Sequence, residues 1–253
     1  MNKIIFITGA TSGFGKAIAE KFAAGGYNII ACGRRIERLQ NLKTELENKF
    51  GIKVLISAFD IQNRKAVETA LEAIPKEWKA IDILVNNAGL AAGLSEIQNG
   101  NIDDWEQMID TNLKGLLYVT RTISPWMIER KQGHIFNIGS IAAKYVYPRG
   151  NVYCATKHAV GALNEAMRID MLPFNIKVTA IHPGAAETEF SLVRFKGDEE
   201  KAKSIYAGFM PLYAENIADI TWFCSQQPAA VCINDLVVTP VTQADSHYSR
   251  KNN

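Results

Sequence analysis

Short apolar runs alternate along this chain with longer stretches in which apolar positions recur at helical spacing. The runs are Ile4–Ile7, Asn28–Cys32, Val54–Ala58, Ile81–Val85, His134–Ile138, Lys177–Ile181 and Leu236–Val238. Most are too continuous for a strand with one wet face, and they predict strands buried on both faces, as in a parallel sheet. Between them the spacing predicts helices over Phe14–Ala24, stopping at Gly25-Gly26, over Glu37–Phe50, stopping at Gly51, and over Arg64–Ile74, stopping before Pro75. Asn101 ahead of Ile102-Asp103-Asp104 reads as an N-cap with acidic residues in the first turn. Strand–helix alternation with right-handed crossovers gives an α/β fold, a doubly wound seven-stranded parallel sheet with helices on both faces.

The chain has 253 residues, enough for one sizeable core. We expect a single domain over residues 1–245, a loop near 188–211 that either covers a pocket or is a plain surface excursion, and a polar, disordered tail over 246–253. A hydrophobic fraction of 47% and a charged fraction of 21% exclude a disordered chain. A net charge of +2 without a basic stripe argues against nucleic acid. No apolar stretch has the roughly 18 to 20 residues of a membrane span, and Ile4–Ile7 is too short for a secretory core. The expected setting is therefore the cytoplasm. Cys32, Cys154, Cys224 and Cys232 match no metal spacing and read as isolated thiols, so no metal is expected.

Directly after the first strand comes Gly9-Ala10-Thr11-Ser12-Gly13-Phe14-Gly15, where a helix opens. Glycines suit this place because the turn is tight, backbone N–H groups must approach a pyrophosphate, and helix and sheet must pack closely. The helix N-terminus then stabilises the anion. The spacing G-x-x-x-G-x-G by itself also fits an ordinary strand–helix turn. The end of the second strand decides between cofactors. A binder of NAD places a carboxylate there for the ribose hydroxyls. This chain has Cys32-Gly33-Arg34-Arg35 and no acid before Glu37. Guanidinium groups bind a 2′-phosphate that a carboxylate would repel, so NADP is expected, with Arg34 and Arg35 as contacts unless they merely face solvent.

Tyr153 and Lys157 stand at i and i+4, which share one face of a helix. A tyrosine titrates near ~10, so acting as a base at neutral pH needs a fall of about three units, roughly 4 kcal/mol. A lysine ~6 Å away supplies about 3 kcal/mol at an effective dielectric near 20. Tyr-x-x-x-Lys alone is commonplace. Its company is less so. Ser140 follows a strand end, where open α/β sheets place ligands. Asn86-Asn87-Ala88-Gly89 ends the fourth strand, either abutting a cofactor or tying the sheet together, and His182-Pro183-Gly184 ends the sixth.

Taken in order and spacing, Thr8–Gly15, Asp60, Asn86–Gly89, Asn112, Ser140, Tyr153, Lys157 and Pro183-Gly184 resemble the short-chain dehydrogenase/reductase family along nearly the whole chain. The resemblance implies a Rossmann fold and an oxidoreductase. It makes Tyr153 the general acid or base and gives Lys157 the tasks of lowering its pKa and holding the nicotinamide ribose. Ser140 polarises the substrate oxygen, and Asn112 supports a proton relay through its backbone. The implied cofactor contacts are Gly9, Thr11, Ser12, Gly13, Phe14 and Gly15 around the phosphates, and Asp60 and Ile61 near the adenine. Asn86, Asn87, Ala88 and Gly89 line the cleft, with Pro183, Gly184, Ala186 and Thr188 at the nicotinamide. It also implies a homotetramer pairing helices Asn101–Glu129 and Val152–Leu172. One departure is Ala186, where the family usually carries Val or Ile, which implies thinner packing there.

Thr188–Phe195 and Pro240-Val241-Thr242-Gln243 are similar to the serine 3-dehydrogenase and 3-hydroxy acid dehydrogenase branch. That similarity implies a small-molecule substrate such as L-serine, L-allo-threonine or 3-hydroxypropionate. Its carboxylate needs a cation, for which Arg149 and Arg194 are candidates, and each reads equally well as surface charge. Arg149 replaces a Gly often found in that branch. The alternatives are a carbonyl reductase for larger ketones or acyl substrates and a non-catalytic NADP-sensing protein.

Overall fold

In the computed structural model, residues 2–204, 208 and 210–250 are described. Seven parallel strands form one sheet in the order β3-β2-β1-β4-β5-β6-β7. They are β1 (Ile4–Thr8), β2 (Asn28–Gly33), β3 (Val54–Ala58), β4 (Ile81–Asn86), β5 (Gly133–Ile138), β6 (Ile176–Pro183) and β7 (Asp235–Val238). The apolar runs locate all seven to within two residues at each end. The helices are α1 (Gly13–Ala24), α2 (Ile36–Phe50), α3 (Arg64–Glu72), α4 (Ile102–Ile109), α5 (Leu116–Arg130), α6 (Asn151–Met171), α7 (Glu189–Arg194), α8 (Glu199–Ser204) and α9 (Ala214–Ser225).

Strand pleating sends neighbouring residues of β1 into different cores. Ile5 and Ile7 pack with Ile18, Phe22, Leu39 and Ile217 beneath α1, α2 and α9. Ile4 and Phe6 pack with Val67, Val119 and Val160 beneath α3, α5 and α6. Burial on both faces explains why the strands read as continuous apolar runs. Helix ends follow local chemistry. Gly51, at φ 66, closes α2, and the Asn101 side chain accepts from the Asp104 N–H at the start of α4 at 3.0 Å. Asn63 caps α3 in the same way; such a cap contributes about 1 kcal/mol.

The long helix expected over Asn101–Glu129 differs from the prediction in one respect. Between α4 and α5 the rod passes through a π-helical turn, Asp110–Gly115, whose wider winding apolar periodicity does not signal. The region expected as an irregular loop over 188–211 carries α7 and α8; residues 205–207 and 209 lie outside the described part. The expected tail also needs correction. Gln243 bridges Ser249, the Arg250 N–H donates to the Thr242 carbonyl at 2.8 Å, and the Ser246 hydroxyl donates to the Tyr145 carbonyl. Residues 246–250 therefore fold back onto the domain, held by backbone bonds that polar composition conceals, and 251–253 lie outside the described residues.

Candidate active site

The strand order reverses between β1 and β4, and a cleft of about 520 Å³ opens above that point. Ligands of open α/β sheets bind at such switch points. The seam is tied by Thr8, whose hydroxyl accepts the N–H groups of Asn87 and Ala88, both at 2.9 Å. The Asn87 amide donates back to the Thr8 carbonyl at 2.9 Å. Asn87, Ala88 and Gly89 thus both tie the sheet ends and line the cleft. Asn86 does not line it. Its side chain is buried beneath the sheet, donating to Thr120 and Asn137 at 2.9 Å each, which corrects its expected place in the cleft.

Gly9, Thr11, Ser12, Gly13 and Phe14 border the cleft. Gly15 does not border it, and its need for a glycine is steric. A Cβ there would stand 2.3 Å from the Gly9 carbonyl oxygen and 2.5 Å from the Asn87 amide nitrogen. The Ser12 side chain makes no capping bond to α1; it accepts from Arg35 at 2.9 Å. Arg35 also donates to the Thr11 hydroxyl at 2.8 Å and pairs with Glu189 at 3.2 Å. Arg34 lies 3.7 Å from Asp60, and both, with Ile61, line the same end of the cleft. A turn closed to side chains, a helix N-terminus and two guanidinium groups where no acid follows β2 fit a phosphorylated dinucleotide.

Ser140, Tyr153 and Lys157 line the other end. Tyr153 and Lys157 are buried, and the Lys157 ammonium sits 5.9 Å from the Tyr153 ring centre. It donates to the Ile138 carbonyl at 3.1 Å. Burial lowers its pKa to about 8. Tyr153 departs from the expected direction. Its burial, with Tyr147 nearby, raises the phenol pKa, against opposing contributions from Ser140 and Arg194. Within the protein's own groups, desolvation outweighs the cations.

Asn112 lies on the π turn and is buried behind Gly89 and Leu90, outside the cleft lining itself. Its side chain exchanges two hydrogen bonds with the Leu90 backbone, both 2.8 Å, and donates to Thr156 at 3.1 Å. The side chain therefore clamps the segment after β4 to α6, while its backbone sits in the wider turn. Pro183, Gly184, Ala186 and Thr188 line the cleft. Backbone bonds fix this segment despite the small alanines: Ala185 donates to the Gln243 side chain at 2.7 Å, and Leu212 donates to the Ala185 carbonyl at 2.9 Å. Arg149 is exposed, sits at φ 63, and borders a small neighbouring recess instead of the main cleft.

Several cleft residues escaped sequence reasoning. Tyr147 and Phe190 flank Tyr153, the rings of Phe190 and Tyr153 being 5.7 Å apart. Ser246, from the supposed tail, lines the cleft. His182, already placed at the end of β6 by the sequence, lies behind the cleft lining under Ser140 with no exposure, accepts the Ser140 N–H at 3.4 Å and reaches Asp235 at 3.1 Å, contacts the sequence did not signal. Accepting at Nδ1 leaves the proton on Nε2, facing the carboxylate. Aromatic residues between Ser140 and Tyr153 were the one available signal, and they say nothing about which way a ring turns.

The sequence signature described as short chain dehydrogenase matches residues 3–198. The chain is 48% identical over 242 residues to the NADP-dependent 3-hydroxy acid dehydrogenase YdfG of Salmonella typhi, covering 95% of this chain and 96% of that protein. It is 43% identical over 245 residues to the serine 3-dehydrogenase of Rhizobium radiobacter, covering 96% of each. A solved structure, the closed form of serine dehydrogenase complexed with NADP+, superposes with a TM-score of 0.91 at 45% identity, covering 99% of this chain and 100% of that one. By signature, by identity over nearly its full length and by fold, the chain belongs to the short chain dehydrogenase family.

Proposed function

We infer that this protein is an NADP-dependent oxidoreductase acting on the 3-hydroxyl or 3-keto carbon of a small hydroxy acid of the L-serine, L-allo-threonine or 3-hydroxypropionate type. One observation carries the reading: a single cleft joins the arginine pair that follows β2 to Ser140, Tyr153 and Lys157. Its full-length likeness to a 3-hydroxy acid dehydrogenase and a serine 3-dehydrogenase supports the substrate class.

Arg34 and Arg35 bind the 2′-phosphate, and Gly9–Gly15 with the α1 N-terminus receive the pyrophosphate. Asp60 and Ile61 border the adenine. Asn87, Ala88 and Gly89, with Pro183, Gly184, Ala186 and Thr188, shape the nicotinamide end. The bound cofactor supplies the hydride chemistry. Ser140 orients the substrate oxygen, and Tyr153 exchanges the proton of that oxygen. A phenol whose pKa burial raises stays protonated at neutral pH, so it carries the proton that carbonyl reduction consumes. Oxidation needs the phenolate, which the charge of Lys157 favours; with its pKa near about 8 that lysine remains mostly protonated at neutral pH. Asn112 holds the floor on which both stand.

Among the described residues no helix is long and apolar enough to cross a membrane, and the four free cysteines suit the reducing cytoplasm. The exposed Leu117 on α5 and Ile169 on α6 support pairing of these helices in a homotetramer.

The test is an absorbance assay with NADP and, in parallel, NAD, on L-serine, L-allo-threonine, 3-hydroxypropionate and 3-hydroxybutyrate. Reduction of NADP by members of this panel, with NAD much slower, is expected. Turnover confined to bulky ketones would sink the substrate reading and favour the carbonyl reductase alternative. Tyr153→Phe should keep NADPH binding, followed by fluorescence, and lose at least ~10²-fold in kcat. Near-normal kcat in that variant would remove Tyr153 from the chemistry.

A further inference from the structure

We propose that Arg194, presented from the end of α7 and steadied by Tyr147, is the receptor for the substrate carboxylate. The assignment rests on the hydroxy acid reading above and selects one cation where the sequence left two. Arg149 is exposed and outside the cleft, whereas Arg194 is half-buried and lines it.

The Arg194 guanidinium sits between two aromatic rings. It stands 5.6 Å from the Tyr153 ring centre and 5.4 Å from the Tyr147 ring centre. Its Nη2 donates to the Tyr147 hydroxyl at 2.9 Å, and its Nε donates to the Gly93 carbonyl at 3.4 Å. Both acceptors are neutral. A guanidinium has five N–H donors in a fixed fork, so most of them are left for another acceptor. Among the described residues no carboxylate pairs with Arg194, while the cleft's other guanidinium groups, Arg34 and Arg35, face Asp60 and Glu189. A cation held by neutral groups beside aromatic rings gains most from an anion that arrives with the ligand.

The geometry also fits the chemistry. In a 3-hydroxy acid one carbon separates the carbinol carbon from the carboxyl carbon. A substrate with its hydroxyl between Ser140 and Tyr153 therefore presents its carboxylate close by, and Arg194, at the end of α7, is a cation beside the Tyr153 ring. Arg194 is also a clip, since its own carbonyl accepts the Gly93 N–H at 3.1 Å. Charge recognition and the attachment of α7 to Gly93 therefore meet in one residue. A receptor and a mere clip make different predictions, because only a receptor distinguishes a charged substrate from a neutral one.

The experiment compares 3-hydroxybutyrate with its methyl ester, which keeps the carbinol and removes the charge. Wild type, Arg194→Gln, Arg194→Lys and Tyr147→Phe are assayed on both. In Arg194→Gln the acid should lose ~10- to 100-fold more in kcat/KM than the ester, mainly through KM, any loss through the Arg194–Tyr153 contact being common to both substrates. Arg194→Lys should recover part of the loss, and Tyr147→Phe should show a smaller loss confined to the acid. Ester turnover reports that each variant is folded. Equal losses on acid and ester in Arg194→Gln would reduce Arg194 to a clip and overturn the proposal while leaving the hydroxy acid reading intact. A wild type that does not prefer acid to ester would overturn both.

Discussion

The two ends of the cleft are built differently. The cofactor end is made of strand termini, tight turns and the start of a twelve-residue helix, α1, tied by backbone bonds and by the Thr8–Asn87 exchange. The substrate end is roofed by α7, a helix of six residues, and by the folded-back 246–250 segment. Side-chain pairs hold α7, Glu189 to Arg35 and Arg38 and Arg194 to Tyr147, while backbone bonds to Thr242 and Ala244 hold 246–250. Bonds within a buried sheet survive small perturbations cooperatively. Ion pairs at half-exposed positions are worth about 0–1 kcal/mol each and can open and reclose. An enzyme that binds one cofactor and turns over small substrates needs a rigid end and a mobile end in this arrangement.

Breaking the rigid end should have the largest effect. Gly15→Ala places a methyl 2.3 Å from a backbone carbonyl that no side-chain rotation can move. Overpacking of this kind costs about 1–3 kcal/mol. The variant should melt lower in calorimetry and bind NADPH at least ~10-fold more weakly by fluorescence titration. Unchanged affinity would show that the loop can shift without loss, contrary to the rigidity argued here.

Next comes the arginine pair, which belongs to the rigid end but touches the mobile one through Glu189. The double substitution Arg34→Ala, Arg35→Ala should lower the ratio of kcat/KM for NADP to that for NAD by ~10- to 100-fold, since each charge-assisted bond is worth about 1.5–3 kcal/mol and both groups are partly solvated. The NAD rate itself should change little. A retained preference would move the 2′-phosphate elsewhere, with Arg38 the next candidate.

The same contrast explains what was legible in the sequence. Buried strands advertise themselves as apolar runs, so β1 to β7 and the helix stops at Gly25 and Gly51 were readable, as was the cofactor loop. The pairing of Tyr153 with Lys157 in one cleft was readable from local spacing, because the two share a helix. The roof was not. Whether Arg194 faces solvent or the cleft depends on Gly93 and Tyr147, distant in sequence, and residues 246–250 read as a tail because backbone bonds to Thr242 and Ala244 leave no compositional mark. The direction of the Tyr153 pKa was missed for the same reason. Charge spacing was visible in the sequence, but the depth of burial that outweighs it was not.

The smallest effect is expected at the contact between the two ends. Burial acts to raise the Glu189 pKa, but hydrogen bonds from Arg38 and Arg35 outweigh it and hold the carboxyl below its ordinary value. A depressed acid stabilises the ion-paired arrangement above its ordinary range and loses that contribution as pH falls below ~4.3. At pH 7 the contact is therefore fully present, and because both partners are more than 40% exposed, salt should weaken it. Glu189→Gln should speed amide hydrogen exchange across 189–194 by no more than about fivefold, with little change across α1. It should also tighten NADP binding slightly, because the carboxylate no longer competes with a phosphate for Arg35. In wild type the same acceleration should appear as pH falls through the acid range, after correction for intrinsic exchange, and in high salt at pH 7. If exchange in α1 rose equally, the roof and the phosphate loop would open as one unit, and the division into a rigid and a mobile end would be wrong.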